Sequence, residues 1–361
     1  MEDLARRLAD LVSSVREPDA GAMDKARAWQ ARLAKPHGSL GRLEDFAVQL
    51  AGITGEVRPR LEKKRLFVFA ADNGVVDEGV ASAPRSVTLM QTVNLTRAKT
   101  GASVLAKHFG VDVTVCDVGV ASEISDPAVV DRKIASGTKN IAKGPAMTRE
   151  EALRAVLAGA DLVRSLPSDV LGVGEMGIGN TTTSAAVLCA LLGADPETVT
   201  GRGGGVTDEA FARKKAVIRR ALDRNRPDPA DPLDVISKVG GFDIAAMCGA
   251  FLGAAAARRP AVIDGFISAV AALCAVRLCP AARGYLFPSH ASREAGYALA
   301  MDAMDMHPVL LLDMRLGEGS GCPLMFQILD AACAAASGMA TFEGAGIDDG
   351  YLDEVRRENH F

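Results

Sequence analysis

The chain has 361 residues, 48% of them hydrophobic, enough for a sizeable core in one large domain with a smaller appendage. Its formal net charge is -4, so no basic excess exists to neutralise the phosphates of a polymer, and with 4% aromatics there is little to stack single-stranded bases. These values exclude a nucleic-acid partner and favour small-molecule chemistry in the cytoplasm.

The 7 cysteines (Cys116, Cys189, Cys248, Cys274, Cys279, Cys322 and Cys333) are scattered and odd in number, without the short spacing of a zinc site. They are expected as reduced thiols buried among small apolar residues. The N-terminus, Met1-Glu2-Asp3-Leu4-Ala5-Arg6-Arg7, lacks the basic-then-apolar order of a signal peptide. The apolar stretch from Ile244 to Ala257 is too short to span a bilayer, and that from Ala261 to Pro280 carries Asp264 and Arg277, so no membrane span is expected.

The elements follow in chain order. Leu4, Leu8, Leu11, Val12 and Val15 mark a first helix, and Asp24 to Leu33 a second. Pro36 and Gly38 break the second, and Ser39 is placed to cap a third helix running to Leu50. From Arg65 onward short apolar runs alternate with helical patterns. Leu66–Ala70, Val111–Val115, Val170–Val173, Ala261–Ile263, Tyr285–Phe287 and Val309–Leu312 read as strands. Such alternation predicts an α/β fold: a Rossmann-like, mostly parallel sheet covered by helices on both faces. Asp223 to Asp234 reads as an exposed turn between helices, and Met325 to Met339 as an Ala-rich helix. The expected organisation is a large catalytic domain over residues 61–324 and a small helical subdomain built from residues 1–60 with 325–361.

Acids and glycines follow the strands: Asp72-Asn73-Gly74, Asp117-Val118-Gly119, Glu175-Met176-Gly177, Asp264-Gly265, Ser289-His290 and Asp313 with the loop to Glu318. In a parallel sheet the C-terminal strand ends share one edge, where ligands bind, so these residues are expected around one crevice. The richest segment, Leu171 to Thr182, contains a literal G-x-G-x-x-G at Gly172, Gly174 and Gly177, with Asp195 roughly 20 residues on, as a dinucleotide fingerprint asks. An NAD(P)-dependent Rossmann oxidoreductase is therefore a rival reading. Against it, the Glu175 carboxylate would repel a pyrophosphate and suits a cation better. Gly179-Asn180-Thr181-Thr182 at a helix start suits a single phosphate. Thr200-Gly201-Arg202-Gly203-Gly204-Gly205 offers backbone N–H groups to an anion, with Lys214 within reach on the next helix. Between Gly317 and Gly319, Glu318 is free to project into the crevice, where burial would raise its pKa toward that of a general base. Paired carboxylates and glycine-lined anion loops without a metal-ligand cluster suggest substitution at a sugar carbon: one acid stabilises an oxocarbenium-like centre and the other takes a proton from the incoming nucleophile. A pyridinium-type leaving group brings its own positive charge, so neither metal nor cofactor is called for.

Lys35-Pro36-His37-Gly38-Ser39-Leu40-Gly41-Arg42-Leu43-Glu44, Ala71-Asp72-Asn73-Gly74-Val75, Glu78-Gly79-Val80, Gly174 to Thr182, Thr200 to Gly203, Asp264-Gly265-Phe266-Ile267, His290 to Glu294 and Arg315 to Gly321 occur in order over nearly the whole chain. With these motifs the chain resembles the nicotinate-nucleotide:dimethylbenzimidazole phosphoribosyltransferase family of cobalamin synthesis. The resemblance implies a homodimer that converts nicotinate mononucleotide and 5,6-dimethylbenzimidazole to alpha-ribazole 5'-phosphate and nicotinate. Glu318 matches the family's general base and Glu175 its second acid. Gly177, Asn180, Thr181, Gly203, Gly204 and Lys214 match positions on the phosphate and ribose side, and Ser292 lies near the departing nicotinate.

Where the family commonly reads Ser-Ala-Tyr-Pro followed by Val-Thr-x-Gln-Met, this chain reads Ala81-Ser82-Ala83-Pro84 followed by Val87-Thr88-Leu89-Met90-Gln91. This segment is implied to line the acceptor-base pocket, so Ala81, Ala83 and Gln91, with Met176 and Leu316, are the expected base contacts. Loss of the tyrosine opens space or removes a stacking surface, which leaves other benzimidazoles, purines and phenols open as acceptors. Tyr297, where histidine is common, is a lesser departure. His290 is expected to make a structural hydrogen bond, and Trp29 to pack within the small subdomain. A non-catalytic nucleotide-binding subunit is the remaining alternative, against which the pair Glu175 and Glu318 argues.

Overall fold

A computed structural model describes residues 1–352 of the chain. The chain divides into two units, one of Met1–Arg16 with Lys63–Met325 and one of Glu17–Glu62 with Phe326–Phe361, of which residues 353–361 lie outside the described residues. The first helix, expected in the small subdomain, thus belongs to the large unit. Helix Glu2–Ser14 buries Leu8 and Leu11 and packs on helices Arg149–Ser165 and Phe242–Ala256 of that unit.

The large unit is built on a parallel sheet of six strands: β1 (Lys64–Ala71), β2 (Asp112–Gly119), β3 (Val129–Asp131), β4 (Val170–Met176), β5 (Ala261–Ile263) and β6 (Leu286–Pro288), in the order β3-β2-β1-β4-β5-β6. This is the doubly wound order, whose direction reverses between β1 and β4. Every residue of β4 is buried, as expected of a central parallel strand covered on both faces. Val309–Leu312 is not a strand: only Leu310 forms a bridge, to His290, while Leu311 and Leu312 are exposed and give the segment no apolar face to bury. β3, which has no counterpart among the predicted strands, is an edge strand with one buried residue, Val129, and so carries almost no apolar signal.

Helix Phe242–Ala256 packs on β1, β2, β4 and β5 and against helix Arg149–Ser165. It is buried on nearly all sides, which accounts for its unbroken apolar sequence. The two helices come together backbone to backbone. A Cβ at Gly249 would stand 1.7 Å from the Val156 carbonyl oxygen, and one at Gly159 1.9 Å from that of Ala246. Only glycine fits at either crossing point. Helix Asn180–Leu192, which follows β4, packs on helices Asp208–Asn225 and Phe266–Leu278.

In the second unit, Asp19 caps helix Ala20–Gln30 by accepting from the Ala22 N–H. The third helix is Arg42–Thr54, with Gly41 at its N-cap rather than Ser39, which is exposed before it. Lys35 and Glu44 form a buried ion pair at 2.7 Å, and Glu44 Oε1 also accepts from the Leu40 N–H, so the Lys35–Glu44 motif braces its own exposed loop. The indole N–H of Trp29 donates to the Ala336 carbonyl at 2.7 Å. Among the described residues no helix is long and apolar enough to cross a membrane.

Candidate active site

The C-terminal ends of β4, β5 and β6 border one open cavity. Its walls include Glu175 and Met176 at the end of β4 and Gly177 after it, Asp264 and Gly265 after β5, His290 and Ser292 after β6, and Leu316, Gly317 and Glu318. Asn180, Thr181, Gly203, Gly204 and Lys214 close one side, and Ala81 and Ala83 line it as well. Of the residues expected to act in catalysis or to contact the phosphate, ribose, acceptor base or nicotinate, only Gln91 does not line the cavity. It sits on helix Ser86–Thr96, where its Oε1 accepts from Asn94 Nδ2 at 3.0 Å. Met90, at the position where the family commonly has the glutamine, does not line the cavity either and is exposed.

The other acids predicted at the strand ends divide by task. Asp72 accepts from the Ala121 N–H, and Asp117 accepts from those of Gly119 and Val120, so both hold loops and neither lines the cavity. The dinucleotide fingerprint also dissolves in three dimensions. Gly172 and Gly174 lie inside β4 rather than in a turn, and Asp195 caps the short helix Pro196–Val199 and pairs with Arg219, beyond the far end of helix Asn180–Leu192. Gly174 is required for another reason: a Cβ there would stand 2.4 Å from the Gly319 nitrogen and 2.6 Å from the Glu318 carbonyl carbon. The loop carrying Glu318 is thereby seated directly on β4.

The two glutamates meet through that loop. The Glu318 N–H donates to Glu175 Oε1 at 3.3 Å. Asn180 Nδ2 donates to Glu175 Oε2 and, at 3.0 Å, to Asp243 Oδ2, so both amide hydrogens are spent on buried carboxylates. Asn180 orients the acids, and its amide N–H groups are not free for a phosphate. Asp243, fully buried at the start of helix Phe242–Ala256, escaped the sequence reading; no motif surrounds it, and Gly240-Gly241 before it is the only local signal.

Burial, and secondarily the Asp243 charge, pushes the Glu175 carboxyl up to about 8, against the pull of its donors Asn180 and Glu318. Burial raises Asp243 to about 6, opposed by hydrogen bonds from Asn180 and Ile244. Glu318 is raised by burial, opposed by the Ala102 N–H and Thr100. Lys214 is lowered to about 8 by burial, opposed by Glu294; its Nζ donates to Thr181 Oγ1 at 2.7 Å and to the Gly201 carbonyl at 3.0 Å. His290 Nδ1 lies 3.0 Å from Ser289 Oγ, and its ring stacks beside that of Tyr297. The cavity thus has a cationic end at Lys214 beside the Gly203–Gly204 backbone, and an acidic end at Glu175 and Glu318. A ligand with an anion at one end and a cation or acidic N–H at the other fits this polarity.

A family profile described as phosphoribosyltransferase matches residues 15–347. The chain belongs to this family. The phosphoribosyltransferase is 51% identical over 342 residues to the nicotinate-nucleotide–dimethylbenzimidazole phosphoribosyltransferase of Ruminiclostridium cellulolyticum, covering 94% of this chain and 97% of that one. It is 49% identical over 344 residues to the enzyme of the same name from Acetivibrio thermocellus, at 94% and 98% coverage. A crystal structure of nicotinate-nucleotide–dimethylbenzimidazole phosphoribosyltransferase from Thermus thermophilus superposes with a TM-score of 0.87 at 41% identity, over 92% of this chain and 100% of that one.

Proposed function

We propose that the enzyme transfers the phosphoribosyl group of nicotinate mononucleotide to 5,6-dimethylbenzimidazole or a related base. The products are alpha-ribazole 5'-phosphate and nicotinate, as in assembly of the cobalamin nucleotide loop. The observation that carries this reading is the polarity of the cavity: Lys214 and the Gly203–Gly204 backbone at one end, Glu175 and Glu318 at the other. The phosphate belongs at the first and the pyridinium and acceptor at the second.

In this reading Glu318 takes the N–H proton of the acceptor base. A nitrogen lone pair of the base forms the new bond to the anomeric carbon as the bond to the pyridinium nitrogen breaks. Its electron pair neutralises the ring, and nicotinate leaves. Glu175 stabilises positive charge on the ribose and the pyridinium. Gly177 and Thr181 lie on the ribose and phosphate side, and Ser292 on the side of the departing nicotinate. Ala81, Ala83, Met176 and Leu316 form the wall for the acceptor, where the small side chains of Ala81 and Ala83 leave room for bases other than dimethylbenzimidazole. All 7 cysteines are buried as thiols outside any disulfide, which suits a cytoplasmic enzyme, and the family resemblance carries the homodimer. The test is turnover: purified protein with nicotinate mononucleotide and a panel of benzimidazoles, purines and phenols should release nicotinate with stoichiometric formation of the new nucleotide. A folded protein that releases none with any base refutes the proposal.

A further inference from the structure

Glu318 stands in a left-handed conformation, φ +61°, between Gly317 and Gly319, each at φ +83°. A glutamate disfavours this backbone region, and three such residues in a row do not hold themselves in place. Within the loop the bonds that do so are a Ser320 N–H to the Gly317 carbonyl and a Cys322 N–H to that of Gly319. The stronger brace comes from outside. Asp264, its side chain 3% exposed, accepts from the Gly319 N–H through Oδ2 at 3.0 Å and from the Gly321 N–H through Oδ1 at 2.7 Å. It grips the loop immediately after Glu318. Asp264 is itself fixed to the sheet: its N–H donates to Ser268 Oγ at 3.2 Å, and that hydroxyl donates to the Val173 carbonyl on β4 at 2.9 Å. The line of support runs from the sheet through Ser268 and Asp264 to the loop.

We infer that Asp264 is a positioning residue for Glu318: its two carboxylate oxygens set where the Glu318 carboxyl stands in the cavity. The inference rests on the reading of Glu318 as general base.

The test compares the full-length enzyme with Asp264→Asn, Glu318→Gln and the double variant, using nicotinate mononucleotide and 5,6-dimethylbenzimidazole. Asparagine keeps the size of Asp264 but turns an N–H against one of the loop N–H groups, which displaces the loop. A catalytic group misplaced on the order of 1 Å loses roughly 100-fold in rate, so kcat of Asp264→Asn should fall about 100-fold with KM for nicotinate mononucleotide little changed. The double variant should be no slower than Glu318→Gln alone, because Asp264 has nothing left to position. A general structural loosening would instead slow the Glu318→Gln background further. If Asp264→Asn does not fold, Asp264→Glu keeps the charge, moves both oxygens by one methylene, and should show the same loss and the same non-additivity. Unchanged kcat in the folded Asp264 variant while Glu318→Gln is slow, or a double variant slowed by the full Asp264 factor, overturns the positioning role alone. Unchanged kcat in Glu318→Gln overturns the general-base reading and this inference with it.

Discussion

Binding of nicotinate mononucleotide should release protons at pH 7 and take them up at pH 9. Glu175 is raised to about 8 and Lys214 is lowered to about 8, so in the free enzyme both are mostly protonated at neutral pH. Each then holds about 0.9 of a proton at pH 7 and about 0.1 at pH 9. A pyridinium cation against Glu175 favours its ionised form and lowers its pKa. A phosphate against Lys214 favours the ammonium and raises its pKa. At pH 7 the glutamate therefore gives up as much as about 0.9 of a proton while the lysine gains only about 0.1, and the net is release. At pH 9 the glutamate has almost nothing to lose and the lysine gains as much as about 0.9, so the net is uptake, with the sign changing near pH 8. Asp243, raised only to about 6, is largely ionised throughout this window. Isothermal titration calorimetry at each pH, in two buffers of different ionisation enthalpy, measures the proton count directly. Uptake at pH 7, or a proton count that does not change sign between pH 7 and 9, would refute the placement of nucleotide charges against these two side chains.

Further outcomes follow from the same geometry. Glu318→Gln should lower kcat by about 10²- to 10⁴-fold with the nucleotide Kd nearly unchanged, as measured by turnover and calorimetry on one preparation. Lys214→Met removes a charged hydrogen bond from the anion end and should weaken nicotinate mononucleotide by about 10- to 100-fold; an unchanged Kd would place the phosphate elsewhere. Gly174→Ala sets a methyl group 2.4 Å from the Gly319 nitrogen, so urea unfolding should show a loss of about 1–3 kcal/mol together with reduced kcat. Glu44→Ala leaves the Lys35 ammonium buried without its partner and should cost about 3–5 kcal/mol in the unit that contains it, whereas replacing both by Met and Leu should cost much less; equal losses would contradict the ion-pair assignment.

What could be read in advance, and what could not, follows the range of the interactions. Leu66–Ala70 and Val170–Val173 declare themselves as strands because central parallel strands are apolar on both faces, and both lie within the observed β1 and β4. β3 is an edge strand too short to carry a pattern, and Val309–Leu312 carries an apolar pattern without a face to bury. Glu318 is legible because glycines isolate it in a loop, and Glu175 because glycines flank it at the end of an apolar run. Asp243 is not: it is tied to Glu175 through Asn180, a contact that spans 63 residues from Asn180 and leaves no local trace. The glycines of β4 read as a nucleotide loop because a close backbone approach and a tight turn use the same residue, and only the position of Gly319 above Gly174 tells them apart.

A crystal structure of the enzyme with nicotinate mononucleotide and an unreactive benzimidazole analogue bound together tests the central claim most directly. The account predicts the phosphate against Lys214 Nζ and the Gly203–Gly204 backbone, the ribose between the two glutamates, and the Glu318 carboxylate within hydrogen-bond reach of the acceptor N–H. A nucleotide bound with its phosphate at the Glu175 end, or an acceptor seated out of reach of Glu318, would contradict it.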